Sequence, residues 1–314
     1  MDLARLSGIF TPLLTPLTST EEVDEPSLRR LVDHVVAGGV QGVWAMGTTG
    51  EFGCLHEDVR ARGIEVIVDQ VRGRVPVVAN VGDGSTSLAL RHAARAAGAG
   101  ASALASTPPH YFHHSADEVC SHFRGLKEAF PDLPLLAYNI PQTVKVRMTP
   151  EAVLELTREG VISGIKDSQN DLVWFRALVE AVRAEGLRGR FRAFLGTRAL
   201  VDVAVAVGAD GSIPANSNVA PEACAKAHRE AVSGTWQAAR EAQALATSFE
   251  DLSSVARSGS PNAATLSTLK NILHEWGVIA DPRLARPLRP LAPEEVSELR
   301  RRLAGLPAPR GAQA

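Results

Sequence analysis

Five lysines occur in the chain, at positions 127, 145, 166, 226 and 270, within a total of 33 Lys+Arg, so positive charge is written almost wholly as arginine. Lys166 stands where chemistry is open to it. It ends a largely apolar run that begins at Val161 and is followed by Asp167-Ser168-Gln169-Asn170, residues suited to a turn entering a helix. A buried ammonium is costly, so such a lysine is either ion-paired or partly neutral. A neutral amine attacks carbonyl carbon. An ordinary ion pair, to Asp167 or to a carboxylate on a neighbouring strand, is the competing reading, and Lys166 alone does not separate the two. The chain has only two tyrosines, Tyr111 and Tyr138, beside nine phenylalanines. A core can be filled with Phe; a phenol is needed to pass a proton or make a hydrogen bond. Either tyrosine alone could satisfy a buried backbone group, but both, near a strand-borne lysine, point to proton transfer. Gly47-Thr-Thr-Gly-Glu51 is a glycine-flanked turn whose N–H groups and the hydroxyls of Thr48 and Thr49 can cradle a carboxylate. Taken alone it is equally a plain turn.

These residues are positioned by an alternation of short β-like and helical segments. Strands are expected at 8–15, 42–47, 76–81, 101–106, 135–139, 162–166, 192–195 and 211–214. Helices are expected near 26–38, 56–72, 85–97, 116–130, 149–159, 171–185, 198–207 and 219–233. Eight units at this spacing fit an α/β protein of the closed (β/α)8 TIM-barrel type. An open doubly wound sheet is the alternative, disfavoured because no GxGxxG follows the first strand. Helix starts are marked at Pro26-Ser27, Ser85 or Ser87, Ser115, Thr149-Pro150 and Pro221, and ends at Gly38-Gly39, Gly98 and Gly208. The barrel is expected over 1–233. A C-terminal three-helix region (234–250, 262–276, 293–303) fills 234–304, and a disordered Pro/Gly/Ala tail covers 305–314. In such a barrel function sits at the carboxyl ends of the strands. That places Thr48-Thr49, Tyr111, Tyr138, Lys166, Gly196-Thr197 and Ser212-Ile213 around one mouth, with Tyr138 and Lys166 on adjacent strands.

Composition narrows the partners. At 314 residues, 45% hydrophobic and 22% charged, with net charge −2, the chain has ordinary globular values and no electrostatic reason to bind nucleic acid or an anionic membrane. Cys54, Cys120 and Cys224 have no CxxC spacing, which suits a reducing cytoplasm. The opening MDLARLSGIF is not read as a signal peptide, and no run has the length of a transmembrane span.

Three segments, Gly47-Thr-Thr-Gly-Glu51, Tyr138-Asn-Ile-Pro141 and Gly164-Ile-Lys-Asp-Ser168, resemble in order and spacing the signatures of the dihydrodipicolinate synthase/N-acetylneuraminate lyase superfamily. Phe10-Thr-Pro12, Thr107-Pro108 and Pro261-Asn262 are similar too, and the resemblance covers about residues 6 to 303. It implies a class I, Schiff-base-forming lyase or aldolase with a C-terminal helical region, usually a homo-oligomer (dimer or tetramer), acting on pyruvate or another small 2-oxo acid. In that reading Lys166 forms the imine, Thr48 and Thr49 hold the carboxylate, and Thr49 also counts with Lys166, Tyr138 and Tyr111 among the catalytic residues. Tyr138 shuttles protons, Tyr111 reaches across from a partner subunit, and Gly196 and Ile213 offer backbone groups near the imine. The iminium is the electron sink, so the chemistry asks for no metal and no organic cofactor.

Two positions depart from the lysine-biosynthetic synthase of the superfamily. Thr143 stands where that enzyme carries an arginine for its aldehyde's carboxylate, with Lys145 and Arg147 further along, and Phe52 replaces a small hydroxyl residue. A lyase, aldolase or dehydratase on a 2-oxo-3-deoxy sugar acid or related 2-oxo acid is therefore expected before the synthase, 4-hydroxy-tetrahydrodipicolinate synthase. A catalytically silent ligand-binding barrel and a phosphate-binding barrel enzyme without a Schiff base are the alternatives of other kinds. His110-Tyr-Phe-His113-His114 has weak metal-site character, Gly208-Ala-Asp-Gly-Ser212 reads as a turn because it lacks basic residues, and Cys54 as a wall residue.

Overall fold

The strands are short and, apart from Arg192, buried on both faces, most of them built on Val, Leu, Ile and Ala, as a parallel sheet covered by helices requires. The computed structural model describes residues 3–308. Its strands are β1 (Gly8–Pro12), β2 (Gly42–Ala45), β3 (Val77–Asn80), β4 (Ala103–Ser106), β5 (Leu135–Asn139), β6 (Gly164–Asp167), β7 (Arg192–Leu195) and β8 (Gly211–Ser212). All pair in parallel in chain order, and β8 closes on β1 through Gly8–Gly211 and Ile9–Ser212. This is the expected (β/α)8 barrel. The strands end earlier than the apolar pattern, β1 at Pro12 and β8 at Ser212, although Leu13 N still donates to Trp44 O and Ile213 N to Leu195 O just beyond them.

The strands are joined by α1 (Glu25–Ala37), α2 (Glu57–Val71), α3 (Thr86–Gly98), α4 (Ala116–Ala129), a single turn α5 (Pro141–Val144), α6 (Pro150–Arg158), α7 (Leu172–Ala184) and α8 (Val201–Ala206). After β8 come α9 (Pro221–Val232), α10 (Trp236–Asp251), α11 (Pro261–Glu275) and α12 (Pro293–Leu303). Caps explain most starts. Ser115 and Glu118 form a reciprocal capping box, Ser85 accepts from Leu88 N, and Thr149 accepts from Ala152 N ahead of Pro150. The first helix starts at Glu25, one residue before Pro26, and is capped by Asp24, which accepts from Ser27 N at 3.2 Å. Gly39 and Gly208 take left-handed backbone as expected, but Gly98 stays helical and Gly100 does so instead, at φ 90°. At the C-terminus Leu306 packs against the core, so the chain is held at least that far, and 309–314 of the expected tail lie outside the described residues.

Two buried polar connections fix the mouth. Glu51, at φ 62° just after the Gly47–Gly50 turn, and Lys270 in the middle of α11 form an ion pair whose side chains are both fully buried. Glu51 Oε2 also accepts from Ala285 N at 2.7 Å, and Lys270 Nζ donates to Arg283 O at 2.7 Å. Desolvation pushes the Lys270 amine down from its ordinary value against the opposing pull of Glu51. One pair thus ties the β2 turn to α11 and to the 283–285 segment. At the ends of β5 and β6, Asn139 Nδ2 donates to Asp167 Oδ1 at 2.7 Å, while Asn139 Oδ1 accepts from Met148 N at 3.2 Å. Asp167 Oδ2 is buried with no hydrogen-bond partner among the described residues. Burial, opposed by the Asn139 and Gln169 hydrogen bonds, pushes this carboxyl up to about 7.

Removing one partner of a buried ion pair strands the other charge, so Lys270→Met is expected to lower the unfolding free energy by about 3–5 kcal/mol. Urea denaturation reads this, and a loss under about 1 kcal/mol would mean the pair does not hold the turn. Asp167 keeps its proton to about pH 7 when folded, whereas an unfolded aspartyl loses it near 4. Its contribution to stability is therefore complete below about pH 4 and is lost as the pH rises to 7, on the order of 4 kcal/mol in all. Asp167→Asn cannot ionise, so thermal melts should show the wild type losing stability relative to the variant across that window. Parallel curves would show that Asp167 ionises at its ordinary value.

Candidate active site

Strand alternation sends Lys166 to the inside of the barrel and Asp167 to the outside, towards Asn139. The expected alternative of a Lys166–Asp167 pair is thereby excluded, and among the described residues no carboxylate lies within ion-pair distance of Lys166. Lys166 is 3% exposed. Its Nζ lies 4.1 Å from the ring centroid of Tyr138 and 4.9 Å from that of Trp44. Two effects compete. Aromatic faces favour an ammonium by about 2 kcal/mol when dry, but burying one without a counter-ion costs several. Desolvation wins, and the amine is pushed below its ordinary value despite the opposing influence of the Tyr138 phenol.

Tyr138 is directly opposite Lys166 in the β5–β6 register. Its ring meets Trp44 edge-on with centroids 5.7 Å apart, and its hydroxyl is 3.1 Å from Thr48 Oγ1. The hydroxyl linked to the phenol is thus that of Thr48 rather than Thr49, which the sequence had marked for catalysis; Thr49 lines the same cavity. The turn carrying both is held from below by Thr15, whose hydroxyl donates to Gly50 O at 2.8 Å. Gly196 passes so close to Ser168 that a Cβ there would stand 1.9 Å from its Oγ. Gly196 N donates to Asp167 O and Ile213 N to Leu195 O, at 2.7 and 2.8 Å. Both N–H groups are therefore used by the barrel, and the carbonyl oxygens are what these residues can turn to a ligand.

A cavity of about 460 Å³ brings together Thr48, Thr49, Tyr138, Lys166, Gly196 and Ile213. Tyr111 does not join them within one chain: at φ 89° it is 80% exposed, edge-on to Phe112. Sequence reasoning missed Arg198, Glu250 and Thr265, which share the cavity wall. Arg198 had a signal, two residues beyond Gly196; Glu250 on α10 and Thr265 on α11 had none, being brought in by helix packing alone. A smaller adjoining cavity of about 270 Å³ is lined by Phe52, Cys54, His110, Thr143, Val144 and Leu288. Lys145 and Arg147 line neither cavity, and Arg147 pairs with Asp171 at 3.0 Å.

The remaining candidates have structural roles. No group of three or more His, Cys, Asp or Glu able to hold a metal occurs among the described residues, and His110 packs edge-on against Phe52. Asp210, in the 208–212 turn, pairs with Arg188 at 3.0 Å and accepts from Ala193 N. Burial and the nearby Glu51 and Glu21 push the Cys54 thiol up, away from a reactive thiolate. No helix among the described residues is long and apolar enough to cross a membrane.

The model of the Dihydrodipicolinate synthetase family matches residues 5–305. A 4-hydroxy-tetrahydrodipicolinate synthase of Thermus thermophilus is 35% identical over 301 residues, 94% of each chain. The dihydrodipicolinate synthase structure from Bacteroides thetaiotaomicron superposes with a TM-score of 0.89 at 29% identity, covering 96% of this chain and 99% of that one. YagE of Escherichia coli K12, solved in complex with pyruvate, gives 0.87 at 23% identity over 95% and 98% of the two chains, a likeness of fold. Family match, full-length relatives and the three signature segments agree: the chain belongs to the dihydrodipicolinate synthetase family.

Proposed function

We propose that this protein is a Schiff-base-forming lyase of the aldolase type acting on pyruvate or on a 2-oxo acid of the 2-oxo-3-deoxy sugar acid kind. The observation that carries the reading is the Lys166 amine, buried without a carboxylate against the ring of Tyr138. Such an amine is neutral more often than a solvated one and is a nucleophile in place. It attacks C2 of the 2-oxo acid, and the carbinolamine loses water to give an iminium. In the cleavage direction Tyr138 takes the proton of the C4 hydroxyl, the C3–C4 bond breaks, and its electrons pass into the iminium. An enamine and an aldehyde result. Protonation at C3 and hydrolysis release pyruvate and free Lys166. Thr48, 3.1 Å from the phenol, passes the proton on, and the turn bearing Thr48 and Thr49 receives the substrate carboxylate. Gly196 and Ile213, which line the same cavity, would offer their carbonyls near the imine.

The substrate kind rests on the cavity. Its wall is rich in hydroxyls and amides, including Gln142, Ser168, Asn170, Thr197, Asn262 and Thr265. Thr143 supplies no guanidinium and faces an apolar side cavity. The second reading, 4-hydroxy-tetrahydrodipicolinate synthase, is favoured by the names of the relatives at 33–35% identity. Exposed Tyr111 and Phe112, the latter 67% exposed, support a homo-oligomer in which Tyr111 serves a partner's site. The unpatterned cysteines support a cytoplasmic location.

Borohydride reduction in the presence of pyruvate, followed by intact mass and peptide mapping, is expected to place one adduct on Lys166. Absence of an adduct with pyruvate and with every longer 2-oxo acid would leave the silent barrel as the reading. Tyr138→Phe removes the proton carrier and is expected to lower kcat about 10²–10³-fold with little change in KM. Equal kcat would remove Tyr138 from the relay. Turnover of 2-oxo-3-deoxy acids against condensation of pyruvate with aspartate semialdehyde separates the two enzymatic readings.

A further inference from the structure

The turn that bears Thr48 and Thr49 is bounded by two non-glycine residues in left-handed backbone, Met46 at φ 52° and Glu51 at φ 62°. Residues with a Cβ adopt that region rarely and at a cost in energy. They stay in it only where the surroundings dictate it. Glu51 has its anchor in Lys270. Met46 has a separate one.

Met46 directly follows β2, and Asn80 ends β3. The last paired residues of the two strands are Ala45 and Ala79, so Asn80 stands level with Met46. Asn80 is fully buried, and its Nδ2 donates to Met46 O at 2.8 Å. Its Oδ1 is buried with no hydrogen-bond partner among the described residues. A half-satisfied amide inside a barrel is less favourable than a leucine of similar size unless the one bond it makes is needed. That bond ends on the strained residue.

The Met46 side chain is confined as well. It is buried, its Sδ lies 3.8 Å from Thr15 Oγ1, and a Cβ on Gly63 of α2 would stand 2.2 Å from its Cε. Gly50, at the far end of the turn, packs back on Met46: a Cβ there would stand 3.3 Å from Met46 Cα and 3.1 Å from Leu13 O. Thr48 and Thr49 therefore sit on a short span between two fixed points, and a shift of Met46 carries them with it.

We propose that Asn80 is a positioning residue of the reaction: through the Met46 carbonyl it holds the Thr48–Thr49 turn in the geometry that receives the substrate carboxylate. The assignment rests on the imine-forming reading of Lys166 and on the seat of the carboxylate at this turn. It extends both to β3, a strand with no residue in the wall of either cavity. Asn80 acts on the substrate only through the turn.

Borohydride trapping of pyruvate and of methyl pyruvate by wild type, Asn80→Leu and Asn80→Asp tests this. Only pyruvate offers the turn a carboxylate, so the ratio of the two trapping rates reads the turn, whereas damage at Lys166 lowers both rates alike. Asn80→Leu is expected to lower that ratio at least about 10-fold relative to wild type, with the methyl pyruvate rate within about 3-fold of it. Asn80→Asp keeps the shape, and its carboxyl, protonated in a buried site, donates to Met46 O as the amide does. Its ratio is expected to match wild type at about pH 5.5 and to fall below it at about pH 9, where the ionised carboxylate has no proton to give. This variant carries the test alone if Asn80→Leu does not fold. A wild-type ratio in Asn80→Leu overturns the proposal, even where both rates fall together. An Asn80→Asp ratio that does not change with pH relative to wild type overturns it as well. Failure of wild type to form an adduct with pyruvate or any longer 2-oxo acid removes the reading of Lys166, and this assignment with it.

Discussion

An amine buried against two aromatic rings with no counter-charge in reach is the constraint on which the rest of the site depends. Tyr138 and Trp44 bury Lys166 on one side of the cavity, and that burial pushes the amine below its ordinary value, towards the form able to attack carbon. The barrel makes this affordable by strand alternation. The one nearby carboxylate, Asp167, is turned to the opposite face and given Asn139 as a partner. Had the register slipped by one residue, the acid would have entered the barrel and the amine would have left it. The closed ladder from β1 to β8 removes the edges at which such a slip could begin.

The strand-borne chemistry was legible in the sequence because period-two alternation and scarce residue types are local signals. Lys166 and Tyr138 stood out from a chain with five lysines and two tyrosines, and the eight βα units could be counted from their caps. Other parts were not legible. The choice between Thr48 and Thr49 as partner of the phenol depends on how a four-residue turn is rolled, which no spacing reveals. Glu250 and Thr265 reach the cavity only because α10 and α11 pack back over the barrel mouth, a tertiary fact without a sequence period. Tyr111 has the residue type of a site member but lies outside the cavity of its own chain. Gly98 and Gly100 differ by two residues in one glycine-alanine run, and only the hydrogen bonds at the helix end decide which turns left-handed.

The two adjoining cavities differ in chemistry. The larger one is lined by Thr48, Thr49, Tyr138, Lys166, Gly196 and Ile213 together with a polar wall. The smaller one, with Phe52, Val144 and Leu288, has Thr143 and no lysine or arginine in its wall. Lys166 and Tyr138 belong to the first alone, so the second can vary in sequence without touching the strands that carry them.

The clamp between the β2 turn and the C-terminal helices has a consequence for the protein's synthesis. Glu51 is made early, whereas its partners Lys270 and Ala285 are made late, the last of them 234 positions further along the chain. Until that distant segment leaves the ribosome, Glu51 is a carboxylate without its lysine, and the turn that bears Thr48 has no anchor at that end. Contacts so far apart in sequence form last and close slowly. The nascent barrel therefore reaches the end of translation with its strands assembled and its mouth unset, and catalytic competence arrives in one step with the final helices.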